Sequence, residues 1–289
     1  MVGMLDFDVV DVFGDRPFTG NQLAVVHGAD GLDDRQLLDI AREFNYSETT
    51  FPGAVDERGY AVRIFTPGGE IPFAGHPTLG TAWVLRLRGL LPATDEVVQR
   101  CGAGEITVRF GQRRVELDAV PRDLAGPLAE PVAHALLADV AGPVWLAGTG
   151  LTFVHLPVRR DAVARAHPSV RPLSAYAADL PDCADPTDGI NLHSVDASGE
   201  TVQVHSRVFV PGLDVAEDPA TGSAAAGLGM ALVAVGHLPR GGEYEIRQGT
   251  EMGRPSRLHG RVVVARDQVV RLLVAGQVHA VARGSIRMP

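Results

Sequence analysis

Residues 63–82 read RIFTPGGEIPFAGHPTLGTA, and residues 207–224 read RVFVPGLDVAEDPATGSA. Both segments open Arg-apolar-Phe-x-Pro-Gly. Both then carry an acid, Glu70 or Asp214, ahead of a β-branched residue. Both close on His/Asp-Pro-x-x-Gly-Thr/Ser-Ala, which sets His76 against Asp218. The offset is 144 residues at the start and 142 at the end, so the second copy is expected to be two residues shorter. A period near half of a 289-residue chain is too long for a solenoid repeat. It points to duplication of a whole domain.

The local physics of each copy is readable. Alternating apolar positions, Val62 and Ile64 or Val208 and Val210, predict a strand, and Pro-Gly then breaks it. After the Gly-rich turn, Thr81 and Ser223 stand just ahead of apolar runs that predict helices. A helix start leaves backbone N–H groups unpaired and carries partial positive charge, so it receives carboxylates or phosphates. Two copies predict two such ends with a ligand between them, because pockets favour domain interfaces. Further out, β-type runs cover Glu105 to Phe110, Arg114 to Leu117, Val202 to Val210, Tyr244 to Arg247, Arg261 to Ala265 and Val269 to Val274. A helix opened by acids is expected from Asp33 to Phe44. The fold class is α+β with strands dominant. The expected division is an N-terminal lobe over residues 1–121, completed by a C-terminal strand over 276–289, and a second lobe over 122–275. A Pro/Ala-rich passage from Val120 to Pro143 reads as the connection.

Composition narrows the function. Hydrophobic residues make up 45% and charged residues 21%, ordinary values for a soluble globular chain. The formal charge is 26 − 35 = −9, which offers no broad attraction for nucleic acid or an anionic membrane. The N-terminus, MVGMLDFDVVDVFGDRPF, carries acids where a secretory leader would carry bases. The run Ala224 to Leu238 is too short to span a bilayer. Cys101 and Cys183 lack metal-type spacing and read as free thiols, so a cytoplasmic protein is expected. Asn45-Tyr46-Ser47 matches a glycosylation acceptor by chance, and the acidic stretch Asp182 to Asp188 reads as a solvated loop. No GxGxxG follows a strand, and there is no phosphate-loop Lys, HExxH pair or nucleophile elbow. Neither a cofactor nor a metal is expected.

Three side chains stand out. Glu48 lies in NYSETTF, flanked by hydroxyls and an aromatic ring. Partial desolvation there would raise its pKa and suit it to accept and return a proton. Its context alone suits an exposed, solvated Glu better. His76 and Asp218 each precede Pro, where both residue types also serve simply to fix turns. Their matched places in the repeat favour a shared site that orients a polar substrate.

Five blocks in order then resemble the PhzF-like family of phenazine-biosynthesis proteins, related in fold to diaminopimelate epimerase. They are DVFGDRPFTGNQLAVV, NYSETTF, the two repeat segments, and QGTEMGRPSRL. The resemblance implies two pseudo-symmetric lobes, each a curled, barrel-like sheet around a central helix, with the active site between them. It implies that Glu48 is the general acid/base and that His76 and Asp218 contact the substrate. Ser47, Gly75, Gly222 and Ser223 match positions that line the pocket. It implies a homodimer acting on a small carboxylate substrate without a cofactor, as in isomerisation of trans-2,3-dihydro-3-hydroxyanthranilate. Racemases of the wider superfamily use two cysteines at the repeated Gly motifs. Here Ala74-Gly75-His76 and Glu217-Asp218-Pro219 hold none, which argues against a two-thiol mechanism. The rival expectations are an epimerase, racemase or dehydratase of another small acid, and a non-catalytic small-acid binding protein.

Overall fold

The computed structural model describes residues 3–129, 140–167, 180–182, 187–210 and 216–289. Cys183, Asp214, and parts of the passage after Val120 and of the acidic loop (residues 130–139 and 183–186) lie outside them. The chain forms two compact units. One comprises Met1–Asp118 with Ala275–Pro289, the other Ala119–Val274.

In the first unit, β1 (Met4–Val12) lies between β2 (Asn21–Val26) and β18 (Val278–Arg287), antiparallel to both. Helix α1 (Asp34–Phe44) then crosses over, so that β3 (Glu48–Val55) runs parallel to β2. Its start is a capping box in which Asp33 and Gln36 satisfy each other's backbone N–H groups. The sheet continues through β4 (Gly59–Thr66), which pairs with β3 along one edge. Its other edge is shared by short β5 (Gly69–Ile71) and by β6 (Glu96–Cys101), which runs parallel to it. Antiparallel β7 (Gly104–Phe110) and β8 (Val115–Ala119) follow. Helix α2 (Gly75–Leu87) is buried almost all round, including the polar His76, Thr78 and Thr81. It packs on β1, β2, β3, β7 and β18. Because β7 and β18 lie near opposite ends of the strand order, the sheet curls around it.

The second unit repeats this plan. Strands β9 (Leu124–Ala125), β10 (Trp145–Gly148) and β11 (Thr152–Pro157) are antiparallel neighbours. Short helix α3 (Arg160–Arg165) precedes β12 (Thr187–Asp196), which is parallel to β11. Strand β13 (Val202–Phe209) pairs with β12 on one edge. It shares its other edge between short β14 (Glu217–Asp218) and parallel β15 (Gly241–Gln248). Then come β16 (Ser256–Ala265) and β17 (Gln268–Gly276). The buried helix here is α4 (Gly222–Ala234), packed on β10, β11, β15 and β16. Among the described residues no helix is long and apolar enough to cross a membrane.

The two units correct the alignment of the repeat. Phe65 pairs with Glu70 across β4 and β5, while Phe209 pairs with Glu217 across β13 and β14. Arg63 makes a two-pronged hydrogen bond to Glu70, and Arg207 does the same to Glu217. Each Arg also lies over its own Phe ring, Phe65 at 5.1 Å and Phe209 at 5.0 Å. The counterpart of Glu70 is therefore Glu217, not Asp214. From there the offset becomes 147 residues, since 217 − 70 = 147. The second copy has three more residues between its Arg and its Glu, not two fewer.

With this register both helices start on a glycine, Gly75 or Gly222, and both run for 13 residues. Helix α2 thus begins five residues before the expected Gly80-Thr81 turn, which lies inside it. Gly80 and Gly227 become equivalents, and each allows its helix to touch the sheet. A Cβ on Gly80 would meet Val12 at 2.9 Å, and one on Gly227 would meet the Ala147 carbonyl at 2.8 Å. Tyr60 and Tyr244, from different strands, donate to the carbonyls of equivalent helix residues Thr78 and Ala225. His76 now corresponds to Ser223, and Asp218 to Ile71.

Candidate active site

The first unit brings Glu48 and His76 together. Glu48 opens β3 where that strand runs parallel to β2, opposite Leu23. His76 is in the first turn of α2. The His76 Nε2 atom lies 3.5 Å from Glu48 Oε2, and the two side chains are 3% and 16% exposed. That separation is long for a hydrogen bond. Burial pushes the His76 imidazole down to about 3, against a smaller opposing effect of the Gln22 backbone. At neutral pH the ring is uncharged, so Glu48 faces a neutral imidazole rather than a cation. A full ion pair would hold the carboxylate in its charged form and weaken it as a base.

Asn21, the first residue of β2, sits on the other side of the ring. Its Nδ2 is 3.2 Å from His76 Nδ1. Gly20, with φ of +80°, turns the chain into β2 against the Val12 carbonyl, where a side chain would collide with backbone. Thr50, two residues beyond Glu48, is bonded to Thr81 of α2 at 2.8 Å and ties β3 to the helix. Ser47 is half-buried beside Glu48, and Gly75 is buried at the helix start.

The second unit gathers Asp218, Gly222 and Ser223 at the start of α4. Asp218 ends β14, and its Oδ2 accepts from the Thr221 hydroxyl at 2.6 Å. Gln248, 2% exposed on β15, braces this turn. Its amide nitrogen donates to the Asp218 carbonyl at 2.8 Å and to Thr221 Oγ1 at 3.0 Å, and its oxygen accepts from the Thr221 N–H at 3.3 Å. Thr221 caps the helix without a side-chain cap bond, and Gly222 and Ser223 are buried behind it. The buried Arg207–Glu217 pair anchors β14 one residue before Asp218.

The sequence marks Glu48, His76, Asp218, Gly222 and Ser223 as candidates but not Asn21, Thr221 or Gln248. Asn21 stood in the GNQLAVV part of one block and Gln248 at the head of QGTEMGRPSRL, so their presence was signalled while their contacts were not. The corrected register also moves the Gly motif of the second unit to Thr221-Gly222-Ser223. It contains no cysteine, so the case against a two-thiol site stands on the corrected residues.

Known proteins share this chain's length and fold. The family of phenazine biosynthesis-like proteins, PhzC-PhzF, matches residues 10–284. A trans-2,3-dihydro-3-hydroxyanthranilate isomerase of Pseudomonas aeruginosa is 34% identical, covering 96% of this chain and 97% of its own. A Bacillus anthracis phenazine biosynthesis protein of the PhzF family superposes with a TM-score of 0.85 at 23% identity, over 98% of this chain and 99% of its own. A hydroxyproline epimerase from Agrobacterium vitis shares the fold alone, with a TM-score of 0.69 at 14% identity over 100% and 94% of the two chains. The chain belongs to the PhzC-PhzF family of phenazine biosynthesis-like proteins.

Proposed function

We propose that this isomerase moves a proton between two carbons of a small unsaturated carboxylic acid of the trans-2,3-dihydro-3-hydroxyanthranilate type. Glu48 carries the proton, and no cofactor takes part. The observation behind this reading is the largely buried Glu48 carboxylate held beside a neutral His76. A carboxylate in that setting can take an acidic C–H proton, leaving a conjugated carbanion. It can then return the proton to a second carbon of the same system. One residue serves both steps when the two carbons present the same face.

His76 and Asp218 are assigned to the substrate's polar groups, and the α4 start at Gly222 and Ser223 to its carboxylate. N–H groups left without intrahelical partners at a helix start suit an anion and stabilise negative charge that develops during proton transfer. Ser47 and Gly75 are assigned to the lining. The chemical-class assignment draws on the isomerase named above, and pairing the two half-sites on one substrate draws on the duplication.

The test is NMR of trans-2,3-dihydro-3-hydroxyanthranilate in D₂O with the wild type and with Glu48→Gln. Loss of substrate with deuterium entering the ring, abolished in the variant, is the expected result. Full turnover by Glu48→Gln would remove Glu48 from the mechanism. No reaction with either protein would remove this substrate.

A further inference from the structure

We propose that Asn21 is a positioning residue that holds His76 as its Nε2–H tautomer and so aims that proton at Glu48. The inference rests on the reading of Glu48 as proton carrier and deepens it. Asn21 is 1% exposed and His76 3% exposed, and they meet across 55 residues of sequence. A buried amide is costly unless hydrogen-bonded, so its place is set by the contacts it makes. One of these contacts is Nδ2 to His76 Nδ1 at 3.2 Å.

In a neutral imidazole one ring nitrogen donates and the other accepts. An amide donor at Nδ1 makes that nitrogen the acceptor and leaves the proton on Nε2, the atom 3.5 Å from Glu48. The competing arrangement is a ring N–H given to the backbone of Gln22. If Nδ1 were that donor, a lone pair on Nε2 would face the Glu48 carboxylate, a repulsive contact. The hydrogen-bonding partner of one imidazole nitrogen thus decides what the other presents to the reacting group.

The test combines tautomer and kinetics. In uniformly ¹⁵N-labelled protein, the His76 ring is assigned by its disappearance in His76→Gln, and its two nitrogen shifts report which one is protonated. The wild type should show Nε2–H. Asn21→Asp, nearly the same shape, places an acceptor opposite Nδ1 and should switch the ring to Nδ1–H. Its kcat should fall about a hundredfold or more with little change in KM, as when an imidazole is held in the wrong tautomer. Asn21→Leu, which removes the donor, should lower kcat about tenfold.

An Nδ1–H ring in the wild type would overturn the proposal. So would an Asn21→Asp protein that keeps Nε2–H, or one that switches tautomer but keeps its kcat while Glu48→Gln is inactive. If Glu48→Gln remains active, the proton-carrier reading falls with its link to kcat, and the ring measurement still decides whether Asn21 sets the tautomer. Circular dichroism of both variants confirms folding, and Asn21→Asp carries the test if the leucine protein does not fold.

Discussion

Asp8→Ala should destabilise the first unit by removing the shared partner of two arginines and a histidine, the last held neutral at pH 7 by its burial. Asp8 lies on β1 with its side chain 7% exposed. It accepts from Arg88 Nε at 2.6 Å, His27 Nε2 at 2.9 Å and Arg283 Nε at 2.9 Å. Burial alone would raise its pKa. The bonds from Arg88, Arg283 and His27 together outweigh burial and hold it below the ordinary value. Removing the carboxylate strands Arg88, whose side chain is 19% exposed and which cannot shed its charge. Breaking a buried pair from one side costs about 3–5 kcal/mol. Arg283, 61% exposed, can turn to water, and exposed pairs contribute only about 0–1 kcal/mol. The expected loss is therefore about 3–6 kcal/mol, or a fall in Tm of roughly 5–10 °C for a chain of this size. Thermal unfolding followed by circular dichroism at pH 7 measures it. Because the folded pKa is depressed, the stabilisation is complete above the unfolded value of 3.8 and is lost as pH falls through the folded one. The gap between wild type and Asp8→Ala should narrow below that value. A Tm within about 1 °C of wild type at pH 7, or a gap that widens in acid, would refute the reasoning.

Equivalent Arg–Glu pairs give a matched comparison. The Arg207 and Glu217 side chains are 7% and 11% exposed, and those of Arg63 and Glu70 are 39% and 43%. Glu217→Ala should cost about 3–5 kcal/mol and Glu70→Ala about 1 kcal/mol or less in urea unfolding; equal losses would contradict this. Gly227→Ala gains about 1 kcal/mol of helix propensity. Its new methyl would lie 2.8 Å from the Ala147 carbonyl and 2.9 Å from His155 Nε2, an overpacking cost of about 1–3 kcal/mol. A more stable variant would show that the sheet yields there. Gln248→Leu removes the brace under Asp218 and Thr221. Under the proposed substrate contact, KM should rise about tenfold with a smaller change in kcat, and a fall in kcat alone would assign Asp218 to the chemical step instead.

Much of the fold is legible in the sequence. The helix from Asp34 declares itself through its opening acids, and the strands Val202–Phe209 and Gly104–Phe110 through their β-type runs, Val202 to Val210 and Glu105 to Phe110. The repeat was also legible, but its register was misread. Matching His76-Pro77 to Asp218-Pro219 favours similar polar types beside proline. The structure instead keeps what pairs: Phe opposite Glu across a short hairpin, Arg on Glu, and glycine at the helix start. Side-chain resemblance in a turn carries less constraint than a strand's hydrogen bonds, so an insertion there is invisible to it. Glu48 and His76 were legible as candidates because their blocks are distinctive. The role of Asn21 was not, because a polar residue ahead of an apolar strand looks like surface until a contact 55 residues away shows it to be buried.

The pairing of β1 with β18 has a consequence for how the chain is made. Met4 lies opposite Arg287, and 287 − 4 = 283 residues of sequence separate them. Synthesis proceeds from the N-terminus, so β1 leaves the ribosome well before its partner β18. The second unit, continuous from Ala119 to Val274, has all its residues before the first unit does. During that interval β1 presents an open, apolar edge, the kind of surface that invites wrong strand partners and slows folding. A released chain truncated shortly before residue 278 should therefore carry a protease-resistant second unit and a protease-sensitive first one. The C-terminal ten-residue strand is what ends the exposure.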